Sequence, residues 1–420
     1  MNRALYNVLF HLALPLIFLR LLWRARRAPA YRGRIAERFG LGLPVLRPGG
    51  IWVHAVSVGE SIAAAPMIRE LMQRYPDLPM TITCMTPTGS ERIRALFGDR
   101  VQHCYLPYDL PWPMGRLLDR LQPRLAVVVE TELWPNLINQ CTRRGVPVAL
   151  VNGRLSERSA RGYARFGRLT APMLGQLDWL AVQSEVEAER FRQLGARAEA
   201  VEVTGSIKYD LQIDPQLPAS AAALRSEWGA DGRPVWIAAS THAGEDEIIL
   251  QAHRQLLAVH PDALLLLVPR HPERFDAMAA LCQGEGFTTV RRSTRQSPYT
   301  AQVLVGDSMG ELLFLYALAD LAFVGGSLVP NGGHNLLEPV ALGKPVLSGP
   351  HLFNFQEISE RLRDAGDLRE AADAETLAAA LRELFADPAA AAAMREAGLA
   401  VLRANQGALQ KQLDGLQRLL

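Results

Sequence analysis

The chain has 420 residues, long for a single hydrophobic core, so two domains are expected. Hydrophobic residues make up 49% and charged residues 21%, which excludes extensive disorder, and a formal net charge of only +2 leaves no global footprint for nucleic acid. The four cysteines (Cys84, Cys104, Cys141 and Cys282) lack any CxxC spacing, so they read as reduced thiols of a cytosolic protein, with no zinc site or disulfide framework indicated.

The first predicted element is apolar. Ala4–Trp23 reads ALYNVLFHLALPLIFLRLLW, about long enough to cross a bilayer at ~1.5 Å per residue. Asn7, His11, Pro15 and Arg20 weaken it as a spanning segment. Arg24, Arg26, Arg27, Arg32, Arg34 and Arg38 follow, which by the positive-inside rule puts the bulk of the chain in the cytoplasm. A cleaved signal peptide fits poorly, because no small-residue cleavage site is obvious. Residues 1–28 are therefore expected to form a membrane anchor, spanning the bilayer or lying in its interface; a helix buried on the protein is the competing reading.

After a turn-rich passage the chain alternates. Strands are predicted at Ile51–Val56, Met80–Met85, Leu125–Val129, Val146–Val151 and Leu180–Gln183, with helices at Ser61–Tyr75, Ser90–Phe97, 135–144 and Glu185–Leu194. Strands that are apolar throughout and alternate with helices imply a parallel sheet covered on both faces. Residues 29–210 thus form one doubly wound α/β domain. Residues 211–220, with two prolines and little periodicity, are the linker candidate. The alternation restarts in residues 221–420, with strands at Val235–Ala238, Ala263–Val268, Val303–Val305, Leu321–Val324 and Pro345–Leu347. An Ala- and Leu-rich helical tail follows from Ala372, part of which is free to pack back on the first domain. The expected architecture is two Rossmann-like domains facing a cleft. In such sheets ligands bind beyond the carboxyl ends of the strands, so residues there carry the chemistry.

Glu60, in Ser57-Val58-Gly59-Glu60-Ser61 after the first strand, could take a proton from an acceptor hydroxyl; helix capping is the plainer alternative. Glu130 and Glu132 follow the strand Leu125–Val129 and would point roughly opposite ways if the backbone stays extended. Lys208, in TGSIKYD at the domain junction, is a cation that can meet negative charge on a leaving phosphate. In the second domain Pro269-Arg270 ends a strand, where arginine suits bidentate phosphate contact. Met309-Gly310-Glu311 lies where a strand joins a helix and offers free N–H groups.

The stretch Phe323–Phe355 contains two glycine pairs and then Asn335-Leu336-Leu337-Glu338, with a helix expected to start near Asn335. Its Asn and Glu at i, i+3 fit a capping box, or a carboxylate accepting from ribose hydroxyls, and the ribose reading is preferred. His334 reads as a local polar contact rather than a metal ligand. Arg154, Arg158, Arg161, Arg165 and Arg168, interleaved with Tyr163 and Phe166, suit a phosphorylated lipid, or else a solvated face. Neither a GxGxxG fingerprint nor a P-loop occurs, and no Asp-x-Asp pair suggests a nucleotide-bridging metal.

In order, the apolar first segment, HAVSVGES, ETELWPN, TGSIKYD, PRHPERF, GDSMGE and GGHNLLEPVALGKPV resemble the 3-deoxy-D-manno-octulosonic acid (Kdo) transferases of Gram-negative bacteria. The last motif is similar to the wider class of metal-independent glycosyltransferases with the GT-B fold. The resemblance spans essentially the whole chain. It implies transfer of Kdo from CMP-Kdo to the lipid A precursor lipid IVA at the cytoplasmic face of the inner membrane, with no metal or other cofactor. It also implies Glu60 as general base and Glu130 and Lys208 as transition-state stabilisers. CMP contacts would fall on Pro269, Arg270, Met309, Gly310, Glu311, Asn335, Leu336, Leu337 and Glu338. Two alternatives stay open: another GT-B membrane enzyme using a UDP-sugar, such as one similar to lipid A disaccharide synthase, and a membrane-tethered nucleotide-binding module without catalysis.

Overall fold

The computed structural model describes residues 1–420, the side chain of Arg27 excepted. Contacts divide the chain into two units, residues 1–210 with 406–420, and residues 211–405.

The first unit holds β1 (Ile51–His54), β2 (Met80–Cys84), β3 (Gln102–Tyr105), β4 (Leu125–Val129), β5 (Val148–Gly153), β6 (Trp179–Val182) and β7 (Val201–Val203). They form one seven-stranded sheet in the order β3-β2-β1-β4-β5-β6-β7, with every pairing parallel. One apolar layer gathers Trp52, Val128, Leu150 and Phe191 on one face, and a second gathers Val53, Ile82, Val127 and Val151 on the other. The strands read as continuous apolar runs because both faces are covered.

The second unit holds β8 (Val235–Thr241), β9 (Leu264–Pro269), β10 (Thr289–Arg291), β11 (Val303–Val305), β12 (Leu321–Val324), β13 (Val346–Ser348) and β14 (Leu368–Glu370). Their order is β10-β11-β9-β8-β12-β13-β14, again all parallel. The predicted α/β class and two parallel sheets are thus present.

Strand order reverses direction between β1 and β4 in the first sheet, and between β8 and β12 in the second. Those two switch points, at the carboxyl ends of the strands, are where such sheets open a crevice for ligand.

Two expectations are corrected, and the tail is resolved into its parts. Residues 217–220 of the anticipated linker are the first turn of the helix Leu217–Glu227, with Pro218 in that first turn, where its missing N–H costs nothing. The helix expected near Asn335 starts at Leu337 and runs only to Ala341. The tail is three helices, Ala374–Ala386, Pro388–Asn405 and Ala408–Gln417. The last belongs to the first unit: Asp210 accepts from the Gly407 and Leu409 N–H groups at 2.6 Å each, and Gln412 donates to Thr204.

The helix Arg3–Arg27 is long and apolar enough to cross a membrane. It does not stand free of the first unit. Tyr6 donates to Asp109 at 3.0 Å, and Asn7 accepts from the Asn136 amide at 2.7 Å. Tyr6, Phe10, Leu14, Ile17, Leu21 and Ala25, three and four apart, form the sheltered stripe, whereas Leu5, Val8, Leu12, Leu16 and Leu19 are exposed.

Candidate active site

In the first unit, β1 leads into a loop whose Ser57 caps the helix Val58–Arg74 by accepting from the Glu60 N–H. The Glu60 carboxylate turns back, accepting from the Val56 N–H at 2.7 Å and from the Ser57 hydroxyl at 2.7 Å. The capping role anticipated as the plainer alternative is therefore real. Burial nevertheless raises the Glu60 carboxyl above its ordinary range; the two hydrogen bonds oppose the rise and the Glu130 charge adds to it.

Glu130 closes β4 with φ at 58°, a left-handed conformation that a side-chain-bearing residue adopts only where its surroundings hold it. The strand therefore does not continue extended, which removes the condition for Glu130 and Glu132 to point opposite ways. Burial first, then the Glu60 charge and to a smaller extent the Glu130 charge, push the Glu132 carboxyl up to about 7. Glu132 is also held by the Trp134 indole N–H at 3.0 Å.

Lys208 sits on a single turn, Ile207–Tyr209, with its Nζ 3.4 Å from Glu130 Oε1. That turn is tied down by buried Asn152, whose Oδ1 accepts from the Ser206 hydroxyl at 3.3 Å and the Ile207 N–H at 3.2 Å. Asn152 is itself left-handed, with φ at 51°, next to the end of β5. Glu60, Glu130 and Lys208 are thus one neighbourhood at the β1/β4 switch point. Glu132, singled out beside Glu130 in the sequence, belongs to it too, as does Asn152, whose long-range bonds leave no local pattern in the sequence.

In the second unit, Pro269 ends β9 and Arg270 is exposed, its N–H donating to Thr241 O at 3.0 Å. Among the described residues the Arg270 guanidinium has no ion-pair partner. Asn335 accepts from the Leu337 N–H at 3.1 Å and donates to Glu338 at 3.2 Å. Burial raises the Glu338 carboxyl, while the Asn335 bond and the charge of Arg270 pull it down. Arg270, Asn335 and Glu338 are therefore brought together. Leu336 and Leu337 are buried and present backbone only.

Met309 is exposed, Gly310 has φ at 86°, and Glu311 is paired with Arg292 at 3.0 Å. This segment leads into the helix Leu312–Leu318, whose Tyr316 phenol is raised first by burial and then by the Glu338 carboxylate. The Arg-rich segment forms the helices Glu157–Ala164 and Gly167–Leu174. Arg161 is paired with Glu157, whereas Arg158, Arg165 and Arg168 are exposed without an ion pair among the described residues. Beside them an apolar cavity of about 220 Å³ is lined by Tyr6, Trp134, Tyr163, Phe166 and Met173 among others.

Residues 33–211 match the family described as 3-deoxy-D-manno-octulosonic-acid transferase (kdotransferase), and residues 232–400 match glycosyl transferases group 1. The 3-deoxy-D-manno-octulosonic acid transferase of Haemophilus influenzae is 47% identical, over 99% of this chain and 98% of that protein. The enzyme of the same name from Bordetella pertussis is 40% identical, over 99% of both chains. The UDP-GlcNAc 2-epimerase of Neisseria meningitidis shares the fold at a TM-score of 0.56 and 13% identity, covering 88% of this chain and 100% of its own. With the motifs, the two parallel sheets and these near-complete alignments in agreement, the chain belongs to the 3-deoxy-D-manno-octulosonic acid transferase family of glycosyltransferases.

Proposed function

We propose that the chain transfers Kdo from CMP-Kdo to a hydroxyl of lipid IVA and releases CMP, as a step in lipopolysaccharide assembly. The observation that carries the mechanism is the grouping of Glu60, Glu130 and Lys208 at one switch point. Glu60 takes the hydroxyl proton as the acceptor oxygen bonds to the anomeric carbon. The bond from that carbon to the CMP phosphate oxygen breaks, and its electron pair leaves with CMP. One displacement of this kind inverts the anomeric configuration. A carboxylate that burial makes reluctant to stay ionised is a stronger base, which suits Glu60. Glu130 and Lys208 stabilise charge in the transition state.

The CMP moiety is assigned to Pro269, Arg270, Met309, Gly310, Glu311 and the Asn335–Glu338 stretch. The unpaired Arg270 meets the phosphate, and the buried Glu338 carboxylate suits the ribose hydroxyls. In this scheme the donor phosphate is neutralised by side chains and needs no metal ion. For the acceptor, unpaired Arg158, Arg165 and Arg168 suit lipid phosphates, and the apolar cavity beside them suits the start of an acyl chain. The exposed leucines of Arg3–Arg27, followed by arginines, favour a helix lying along the inner membrane's cytoplasmic face with the sheltered stripe against the protein.

The deciding experiment is transfer from CMP-Kdo to lipid IVA, with products weighed by mass spectrometry. Glu60→Gln should bind CMP like the wild type yet lose transfer by about 100-fold or more. Near-normal turnover in that variant would remove Glu60 as the base. Activity with a UDP-sugar instead of CMP-Kdo would overturn the donor assignment.

A further inference from the structure

His242 follows the end of β8, and His334 follows the loop that leaves β12, so both lie at the switch point of the second sheet. Their Nε2 atoms are 2.8 Å apart, the ring planes are within 6° of parallel, and the centroids are 5.1 Å apart. The rings meet tip to tip in an N–H···N hydrogen bond. His271 stands edge-on to His242, with centroids 5.3 Å apart.

The surroundings hold this arrangement in place. The carboxylate of Glu245, fully buried, accepts from the N–H groups of His242, Gly326, Ser327 and Leu328 at 2.7 to 2.9 Å, which clamps the strand end to the loop. Gly326 has φ at 69°, and a Cβ there would press on the His334 ring at 3.0 Å, so glycine leaves the room that the pair occupies.

The chemistry follows from one hydrogen bond. A neutral imidazole carries one proton. The ring that donates through Nε2 therefore has a bare Nδ1, and the ring that accepts through Nε2 carries its proton on Nδ1. Neither Nδ1 has a hydrogen-bond partner among the described residues, and neither is sealed from solvent. One added proton goes to the bare Nδ1, leaves the N–H···N bond intact and makes both outer nitrogens donors.

We infer that His242 and His334 act as one proton-sharing unit that takes up a single proton when the anionic part of the donor binds beside Arg270. This deepens, and rests on, the assignment of the second unit to the nucleotide. The groups facing the pair are Arg270, His271, Arg274 and Glu245. Arg274 is neutralised by Asp246, and the Glu245 carboxylate is spent on four N–H groups, which leaves Arg270 as the unpaired cation. Burial first lowers both histidines; at His242 the Glu245 charge opposes it, and the neighbouring cations add to the lowering at both, bringing His334 to about 4 and favouring a neutral pair. An anion reverses the cationic repulsion and raises their proton affinity.

The probe is cytidine 5′-methylphosphate, a diester whose single charge does not titrate near neutrality. Calorimetry in buffers of different ionisation enthalpy counts protons taken up on binding to the full chain. The wild type should take up close to one proton in mildly acid solution. Its affinity should weaken by up to about tenfold per pH unit as pH rises through the ionisation of the complex. His334→Asn and His242→Asn, each checked for an unchanged melting profile, should bind without uptake and with a flat pH dependence. Wild-type binding without proton uptake overturns the inference whether or not the variants fold. Equal uptake by wild type and both variants overturns it too. Failure of the wild type to bind either CMP or the ester overturns the nucleotide assignment itself, and this inference with it.

Discussion

Lys208 brings its Nζ to 3.4 Å from Oε1 of Glu130, at a strand end where Glu130 holds a left-handed φ of 58°. The pair lies next to a third charged group, the Glu60 carboxylate, which burial raises first and the Glu130 charge raises further. Glu130 repels the ionised form of Glu60 and so raises it.

Glu130→Gln removes that repulsion. In the proposed mechanism Glu60 acts as a base only when ionised, so transfer should fall as pH drops through its raised ionisation. Without Glu130 this acid limb should move to lower pH, even though the rate at the plateau falls. A pH profile of kcat/KM for the two proteins checks it; an unmoved acid limb would separate Glu130 from the base.

Asn152→Ala should behave as a partial loss of Lys208. The buried Asn152 Oδ1 holds the Ser206–Ile207 backbone from which Lys208 projects, and alanine leaves those donors without a partner. The expected result is a kcat reduced by about tenfold with CMP affinity unchanged, a difference of about 1.4 kcal/mol in the transition state. In Lys208→Met the further Asn152→Ala change should cost little, because its effect acts through the lysine.

Chelators should leave transfer unaffected. The proposed scheme neutralises the donor phosphate with side chains, Arg270 first, so EDTA-treated enzyme should retain its rate, and adding Mg²⁺ should not raise it. A rate that collapses with EDTA and returns with a divalent cation would refute that part of the scheme.

Burial pushes the Asp367 carboxyl up to about 8, and neither of its oxygens has a side-chain partner to offset it. Its folded ionisation lies above the unfolded one, so stability present at low pH is lost progressively as pH rises from the ordinary carboxylate range toward about 8. Asp367→Asn removes this slope. At pH 8 the variant should melt higher than wild type, by roughly 4 °C for a gain of about 2 kcal/mol, and the gap should close near pH 4. Equal melting temperatures across that range would show the carboxylate to be solvated.

Much of the fold was legible because its central strands are covered on both faces. Leu125–Val129, Val303–Val305 and Leu321–Val324 have the bounds expected of continuous apolar runs. The four edge strands, Gln102–Tyr105, Val201–Val203, Thr289–Arg291 and Leu368–Glu370, were not, since one side of each meets solvent and the runs are short and mixed. At the site, Glu60, Glu130, Lys208, Arg270 and Glu338 could be singled out by their motifs and their places after strands. Asn152 and His242 could not. Their partners lie 54 and 92 positions away, and each pairing depends on a loop conformation that no local pattern encodes.

The docked helix Arg3–Arg27 has a practical corollary for anyone wishing to shorten the chain. Tyr6 and Met1 help to wall the apolar cavity beside Trp134, and Tyr6 and Asn7 supply partners to buried Asp109 and Asn136. Cutting away residues 1–28 would thus not trim off a greasy handle. It would trade one oily surface for another, open the cavity to water on one side, and strip Asp109 of its phenolic donor.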